Sequence, residues 1–239
     1  MLHESRTDDP MPPAHLAADV ERIFEVLQRG DAAIVPLDVA YAIIGVKSKA
    51  IAAIFEAKNR SFDKPSGMFG DLALSDELHI LPDKAKNIAR ALVEKHNLPF
   101  SIVAEYRADH PLLGVVEPFV LEHSTKRGTL DMLINAGSLH NQIARESAKR
   151  AVAVFGSSAN LSLTGSKYRL GDIDASVRAA AALALDYGTS KYANPDGRSS
   201  TIIDFRTYTV VRHGVCFEQI HDIFDQEFGI ALLEPTQDR

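Results

Sequence analysis

The chain has 239 residues, 46% hydrophobic and 24% charged, with a formal net charge of −6 and a mean hydropathy of −0.07. That composition suits a globular protein with ample core, and no apolar run approaches the roughly 20 residues that span a bilayer. The acidic balance argues against a general nucleic-acid coat protein but leaves room for a local basic groove, while the lone Cys216 excludes an internal disulfide or a cysteine metal cluster.

Residues 1–13 are polar and lack the basic-then-apolar order of a secretory signal, so they read as a flexible leader, with the cytoplasm as expected compartment. Leu16, Val20, Ile23, Phe24 and Leu27 fall at helical spacing between His15 and Arg29, and Gly30 stops that helix. Ala32 to Leu37 reads as a strand closed by Pro36. Ala40 to Val46 reads as a second short strand or a turn. Ser48 is the expected N-cap of a helix through Ala57, and a charged loop, Lys58 to Gly70, follows. Pro82 to His96 has the spacing of another helix, while Phe100–Tyr106, Phe119–Glu122 and Leu130–Ile134 read as strands. Leu139 to Arg150 is helical and leads into an apolar strand, Ala151–Phe155. Asp172 to Leu183 is alanine-rich and helical, with a strand from Leu183 to Asp186. Thr201–Phe205 and Tyr208–Arg212 form a strand pair. Phe217 to Phe228 closes the fold as a helix with Phe217, Ile220, Ile223 and Phe224 on one face, and residues 231–239 are a polar tail. Strands and helices alternate without linker composition or a fixed repeat. This predicts one α/β domain over residues 14–230, a twisted, open, mixed β-sheet with flanking helices.

The segment richest in chemistry is Gly156-Ser157-Ser158-Ala159-Asn160-Leu161-Ser162, with Ser166 beyond it. A strand that empties into small hydroxyl and amide residues leaves backbone N–H groups and side-chain donors free at a sheet edge, where a phosphate can approach. Read alone, it is equally an ordinary polar loop. Lys58, Arg60 and Lys64 form the tightest basic group near a loop, and read alone they equally form a solvated helix end favoured by the macrodipole. Arg145, Lys149 and Arg150 read as a solvated helix face. The nine histidines show no metal-ligand spacing, so no metal site is assigned. There is no Walker-type phosphate loop, no Gly-x-Gly-x-x-Gly after the first strand and no Gly-x-Ser-x-Gly elbow.

Four segments follow a shared order and spacing: Pro36-Leu37-Asp38-Val39-Ala40-Tyr41, Lys58-Asn59-Arg60 through Lys64-Pro65, Ser158-Ala159-Asn160 through Ser166, and Ser200-Thr201-Ile202 with Arg212-His213-Gly214. From about Ile23 to Val215 the chain thereby resembles the YrdC-like family, the threonylcarbamoyl-adenylate synthases of transfer-RNA modification. The family pattern reads Pro-Thr-Asp-Thr-x-Tyr-Gly, Lys-x-Arg with a following Pro, Ser-Ala-Asn-x-Ser, Ser-Thr-Val and Arg-x-Gly. The resemblance implies an open sheet with a concave cationic face that makes an acyl adenylate from ATP, bicarbonate and L-threonine, with Mg2+ accompanying the triphosphate. It implies that Arg60 and Lys64 hold the phosphates with Lys58 beside them. Ser158, Asn160 and Ser166 would bind the nucleotide, and Arg212 would close the other side. It further implies a short, single-domain type that depends on partner proteins for later transfer.

The departures concern the other half of the site. Leu37 and Val39 replace the two threonines, Ala42 the glycine after tyrosine, Phe69 a histidine and Leu163 the glycine after Ser-Ala-Asn-x-Ser. The family's Pro-Gly-Pro-x-Thr reads here as Glu117-Pro118-Phe119-Val120, and in its Val-x-Val-Arg-x-Pro strand Leu133 stands for arginine. Matches fall on groups assigned to the nucleotide, and losses fall on polar groups expected around threonine and the carbonate. Leu37, Asp38, Tyr41, Phe69, Val120, Leu133 and Ser200 are therefore expected to line an altered second-substrate pocket. Three readings stay open at this point: a threonylcarbamoyl-adenylate synthase, the same fold with another amino acid or carbamoyl donor, and a nucleotide- or double-stranded-RNA-binding protein without turnover.

Overall fold

Short strands of alternating small and apolar residues build one ten-stranded sheet in the computed structural model, which describes residues 13–61 and 64–234. The leader up to residue 12 and residues 235–239 of the expected tail lie outside the described residues. In chain order the elements are α1 (Pro13–Gln28), β1 (Ala32–Val35), β2 (Ala42–Gly45), α2 (Ser48–Ala57), β3 (Gly67–Phe69), α3 (Leu72–Leu78) and α4 (Asp83–Arg90). After a π-helical turn, Ala91–Lys95, come β4 (Phe100–Glu105), α5 (Pro111–Gly114), α6 (Pro118–Glu122), β5 (Thr125–Lys126), β6 (Thr129–Ile134), α7 (Ser138–Arg150) and β7 (Phe155–Ser158). The chain continues through α8 (Ala175–Ala179), β8 (Ala181–Ala184), β9 (Thr201–Asp204), β10 (Thr209–Arg212) and α9 (Phe217–Phe228). The strand order is β10-β9-β4-β6-β3-β7-β2-β1-β8, with β5 beside β6. Pairs β1·β8, β3·β6 and β4·β9 are parallel and the others antiparallel, so the sheet is mixed, as the alternation of elements predicts.

The two faces of the sheet differ, and that difference makes the site. One face carries Ile34, Ile43, Met68, Phe100, Met132, Phe155 and Ile203, all buried against α2, α3, α4, α6 and α9. On the other face α1 and α7 cover only the β3-β7-β2-β1-β8 end, where Phe24, Leu27, Leu139 and Ile143 pack with Ala33, Val35, Ile44, Phe69 and Val154. Over β6, β4 and β9 that second face is open as a cleft. Strand β6 shows the logic residue by residue. Leu130, Met132 and Ile134 are buried on the covered face, while Thr129, Asp131 and Leu133 alternate onto the cleft.

Several sequence expectations need correction. Phe119–Glu122 is helical, not a strand: Pro118 sits in the first turn of α6, where its fixed φ and missing N–H cost nothing. Strand β7 begins at Phe155 and runs on through the serines, because Ser157 and Ser158 pair with Ile43 and Ala42 of β2. The alanine-rich stretch splits into α8 and a strand that starts already at Ala181. Lys47, not Ser48, holds the N-cap position of α2 without a side-chain cap, and the Ser48 N–H donates to Glu117 Oε2 at 2.7 Å. Leu233, assigned to the polar tail, bridges to Thr209 of β10.

Candidate functional site

The open half of the sheet floors a cleft of about 840 Å³, within the size range of small-molecule sites. Among the described residues, seven lysines and arginines line it against a single carboxylate, Asp131. A chain of net charge −6 thus gathers cations along one concavity. Six of the seven residues expected at the nucleotide line it: Arg60, Lys64, Ser158, Asn160, Ser166 and Arg212. They come from the loop after α2, from the end of β7 with its following loop, and from β10.

The two arginines are held by the backbone. Arg60 donates from Nε to the Lys64 carbonyl at 3.0 Å and from Nη2 to the Pro65 carbonyl at 2.7 Å, with its guanidinium 5.6 Å from the centre of the Phe55 ring. Arg212 reaches across β9, donating to the Ser200 carbonyl from Nε (3.0 Å) and Nη2 (2.8 Å), and to Ser200 Oγ (3.0 Å). Desolvation lowers the pKa of both, the proximity of Arg212 adds to the effect at Arg60, and Asp131 opposes it. Each guanidinium is fixed yet keeps unused N–H donors, the condition for gripping phosphate oxygens without ordering a loose side chain.

Lys58 stands apart from the cleft wall. It is 1% exposed, and its Nζ donates to the Asn160 carbonyl at 2.7 Å and to the Ser158 carbonyl. Burial pulls its pKa down to about 7, helped by the Arg60 charge and opposed by Asp174. Lys58 therefore pins the serine loop from beneath instead of facing a phosphate. The loop's backbone donors are not free at a sheet edge either. Strand β7 lies inside the sheet. The N–H groups of Ala159, Asn160, Ser162 and Ser166 donate to the carbonyls of Tyr41, Ser158, Lys58 and Gly197. Within this segment Ser157 Oγ and Asn160 Oδ1 are buried and, among the described residues, have no hydrogen-bond partner.

Of the expected second-substrate residues, Leu37, Tyr41, Phe69, Leu133 and Ser200 line the same cleft, whereas Asp38 and Val120 do not. Val120 is buried in the core of the opposite face. Asp38 turns toward Gly137, whose φ of 110° and missing side chain admit it: a Cβ there would lie 2.4 Å from Asp38 Oδ1. The Tyr41 hydroxyl points into the core, donating to Asp186 Oδ1 at 2.8 Å, and burial, reinforced by that carboxylate, raises its pKa. Phe69 packs at a tilt on the buried ring of His140, with centroids 4.8 Å and planes 40° apart.

Sequence reading missed Ser101 and Asp131, which both line the cleft. Pro99-Phe100-Ser101 puts a hydroxyl on β4 at the cleft, 3.4 Å from Ser200 Oγ, whereas Val120 of the Glu117–Val120 segment is buried in the opposite core. The signal for Asp131 was a lone acid inside an apolar strand. Burial pushes its carboxyl up to about 6, against the pull of Arg212, Ser101 and Arg60. No group of three or more His, Cys, Asp or Glu among the described residues is arranged to hold a metal ion. No helix of the described residues is long and apolar enough to cross a membrane.

The Sua5/YciO/YrdC family model, described as "Telomere recombination", matches residues 25–214. No curated protein matches the sequence significantly. Among solved structures, the fold is similar to the hypothetical protein smu.1377c from Streptococcus mutans UA159, with TM-score 0.71 and 18% identity over 90% of this chain and 94% of that one. It is similar to P. abyssi Sua5 complexed with L-threonine, with TM-score 0.71 and 16% identity over 98% of this chain, which spans 62% of that Sua5 chain. It is also similar to E. coli YciO, with TM-score 0.65 and 17% identity over 90% of this chain and 96% of that one. At these identities the likeness is one of fold.

Proposed function

Because the chain belongs to the Sua5/YciO/YrdC family, we propose that it binds ATP in the cleft and forms a carbamoyl- or acyl-adenylate, in the manner of the threonylcarbamoyl-adenylate step of transfer-RNA modification, with a second substrate other than threonine. The observation that carries this reading is the convergence of Arg60, Lys64, Arg212, Ser158, Asn160 and Ser166 on one cleft that also carries an apolar wall of Leu37, Phe69 and Leu133. The arginines and Lys64 take the polyphosphate, with Mg2+ entering on it, and Ser158, Asn160 and Ser166 take the nucleoside. A carbamate or carboxylate oxygen attacks the α-phosphorus and pyrophosphate leaves. Such a step needs positioning and charge neutralisation more than a proton-transfer residue. The apolar wall lacks the donors that a threonine zwitterion requires.

Pyrophosphate release tests the reading, measured with ATP, Mg2+ and bicarbonate over a panel of amino-acid and amine acceptors. The expected result is release stimulated by an acceptor other than threonine. Tight threonine binding in the presence of ATP contradicts the altered pocket, and no release with any acceptor contradicts the enzyme.

A further inference from the structure

On its cleft face strand β6 carries Leu133 and, two residues earlier, Asp131, which supplies an anion. Arg212, Ser101 and Arg60 all pull on this carboxylate without satisfying it in full. Its Oδ1 is buried and, among the described residues, has no hydrogen-bond partner. The arginines that flank it direct hydrogen bonds to the carbonyls of Lys64, Pro65 and Ser200. On the neighbouring strand Gly67 lays no side chain over it, where a Cβ would come within 3.3 Å of Asp131 Oδ2. A carboxyl with a buried oxygen left unsatisfied is costly and calls for a group that completes it. Beside it Leu133 and Phe69 form an apolar surface.

Resting on the reading that ATP occupies the arginine side of the cleft, we propose that Asp131 selects the second substrate, and that this substrate is a primary amine with an apolar body and no carboxylate. Its ammonium group donates to Asp131 and its body lies on Leu133 and Phe69. An α-amino acid brings its carboxylate to the same wall, where β6 presents an anion and a leucine.

Three probes share one branched side chain and differ only in charge: 3-methylbutylamine, L-leucine and 4-methylpentanoate. Each is titrated calorimetrically into the full chain without nucleotide, and ATP with Mg2+ is titrated separately. The amine is expected to bind at least roughly tenfold tighter than the other two, the worth of one charge-assisted hydrogen bond. Asp131→Asn is expected to weaken the amine roughly 10- to 100-fold and to strengthen ATP, since a negative charge beside the phosphates is gone. Leu133→Arg is expected to shift preference from the amine toward leucine. Should D131N fail to fold, wild-type selectivity and L133R decide. An amine no tighter than leucine on the wild type, or equally tight on D131N, overturns the proposal. ATP binding without amine preference removes this inference alone. Amine preference without ATP binding removes the nucleotide reading and leaves the amine site standing.

Discussion

A carboxyl group among cations would ordinarily sit below the usual carboxylate range, yet burial holds Asp131 up to about 6 from 3.8. The unfolded chain releases this proton near 3.8, so between about pH 4 and 6 the folded protein holds the extra proton. Stability contributed at this residue is therefore full at acidic pH and is lost as pH rises through the window, by about 3 kcal/mol at most. Urea unfolding of wild type and D131N across that range isolates the effect from other carboxylates. The variant is expected to gain on the wild type as pH rises from 4 to 6; a difference independent of pH contradicts the assignment. At this scale the sequence was half legible. Arg60, Lys64 and Arg212 announce themselves through charge and spacing, and all three line the cleft. Lys58 belonged to the same motif but is spent on two carbonyls, a role that only the path of the serine loop reveals.

Among the elements, the crossing of β9 by the chain after β10 leaves least room for change. A Cβ on Gly214 would lie 2.2 Å from the backbone of Ser200 and Thr201 and 2.3 Å from the Ser199 carbonyl, so the main chain itself must move. Ser200 is the anchor of Arg212, and displacing it disturbs the guanidinium as well. Gly214→Ala is expected to cost at least about 2 kcal/mol of stability, read from urea unfolding; a variant as stable as wild type contradicts the steric argument. The Arg-x-Gly spacing marked this glycine in the sequence, but the reason for it is a contact with a strand 13 residues away. Elements were misread where local pattern and tertiary pairing disagree. Phe119-Val120 looks like strand material, yet Pro118 starts a helical turn whose valine faces the core. The serines of β7 look like loop, yet β2 gives them a hydrogen-bonding partner.

For the molecule as a whole, the decisive property is the uneven covering of one sheet. Helices cover one face throughout and the other only at the β3-β7-β2-β1-β8 end, so strand residues that alternate outward elsewhere become the floor of a cleft. The α/β class was legible because apolar runs alternate with amphipathic stretches. The strand order was not, because parallel pairs such as β4·β9 join residues about a hundred positions apart. The site was legible as four scattered motifs, and the folding of their segments onto one concavity gives them a shared chemistry. The central claim is that this concavity is an ATP site built on Arg60 and Arg212. Calorimetric titration of ATP with Mg2+ into wild type, Arg60→Ala and Arg212→Ala tests it most directly. A single saturable site is expected on the wild type, weakened roughly 10- to 100-fold in each variant. Equal affinity in all three proteins, or no binding to the wild type, would contradict it.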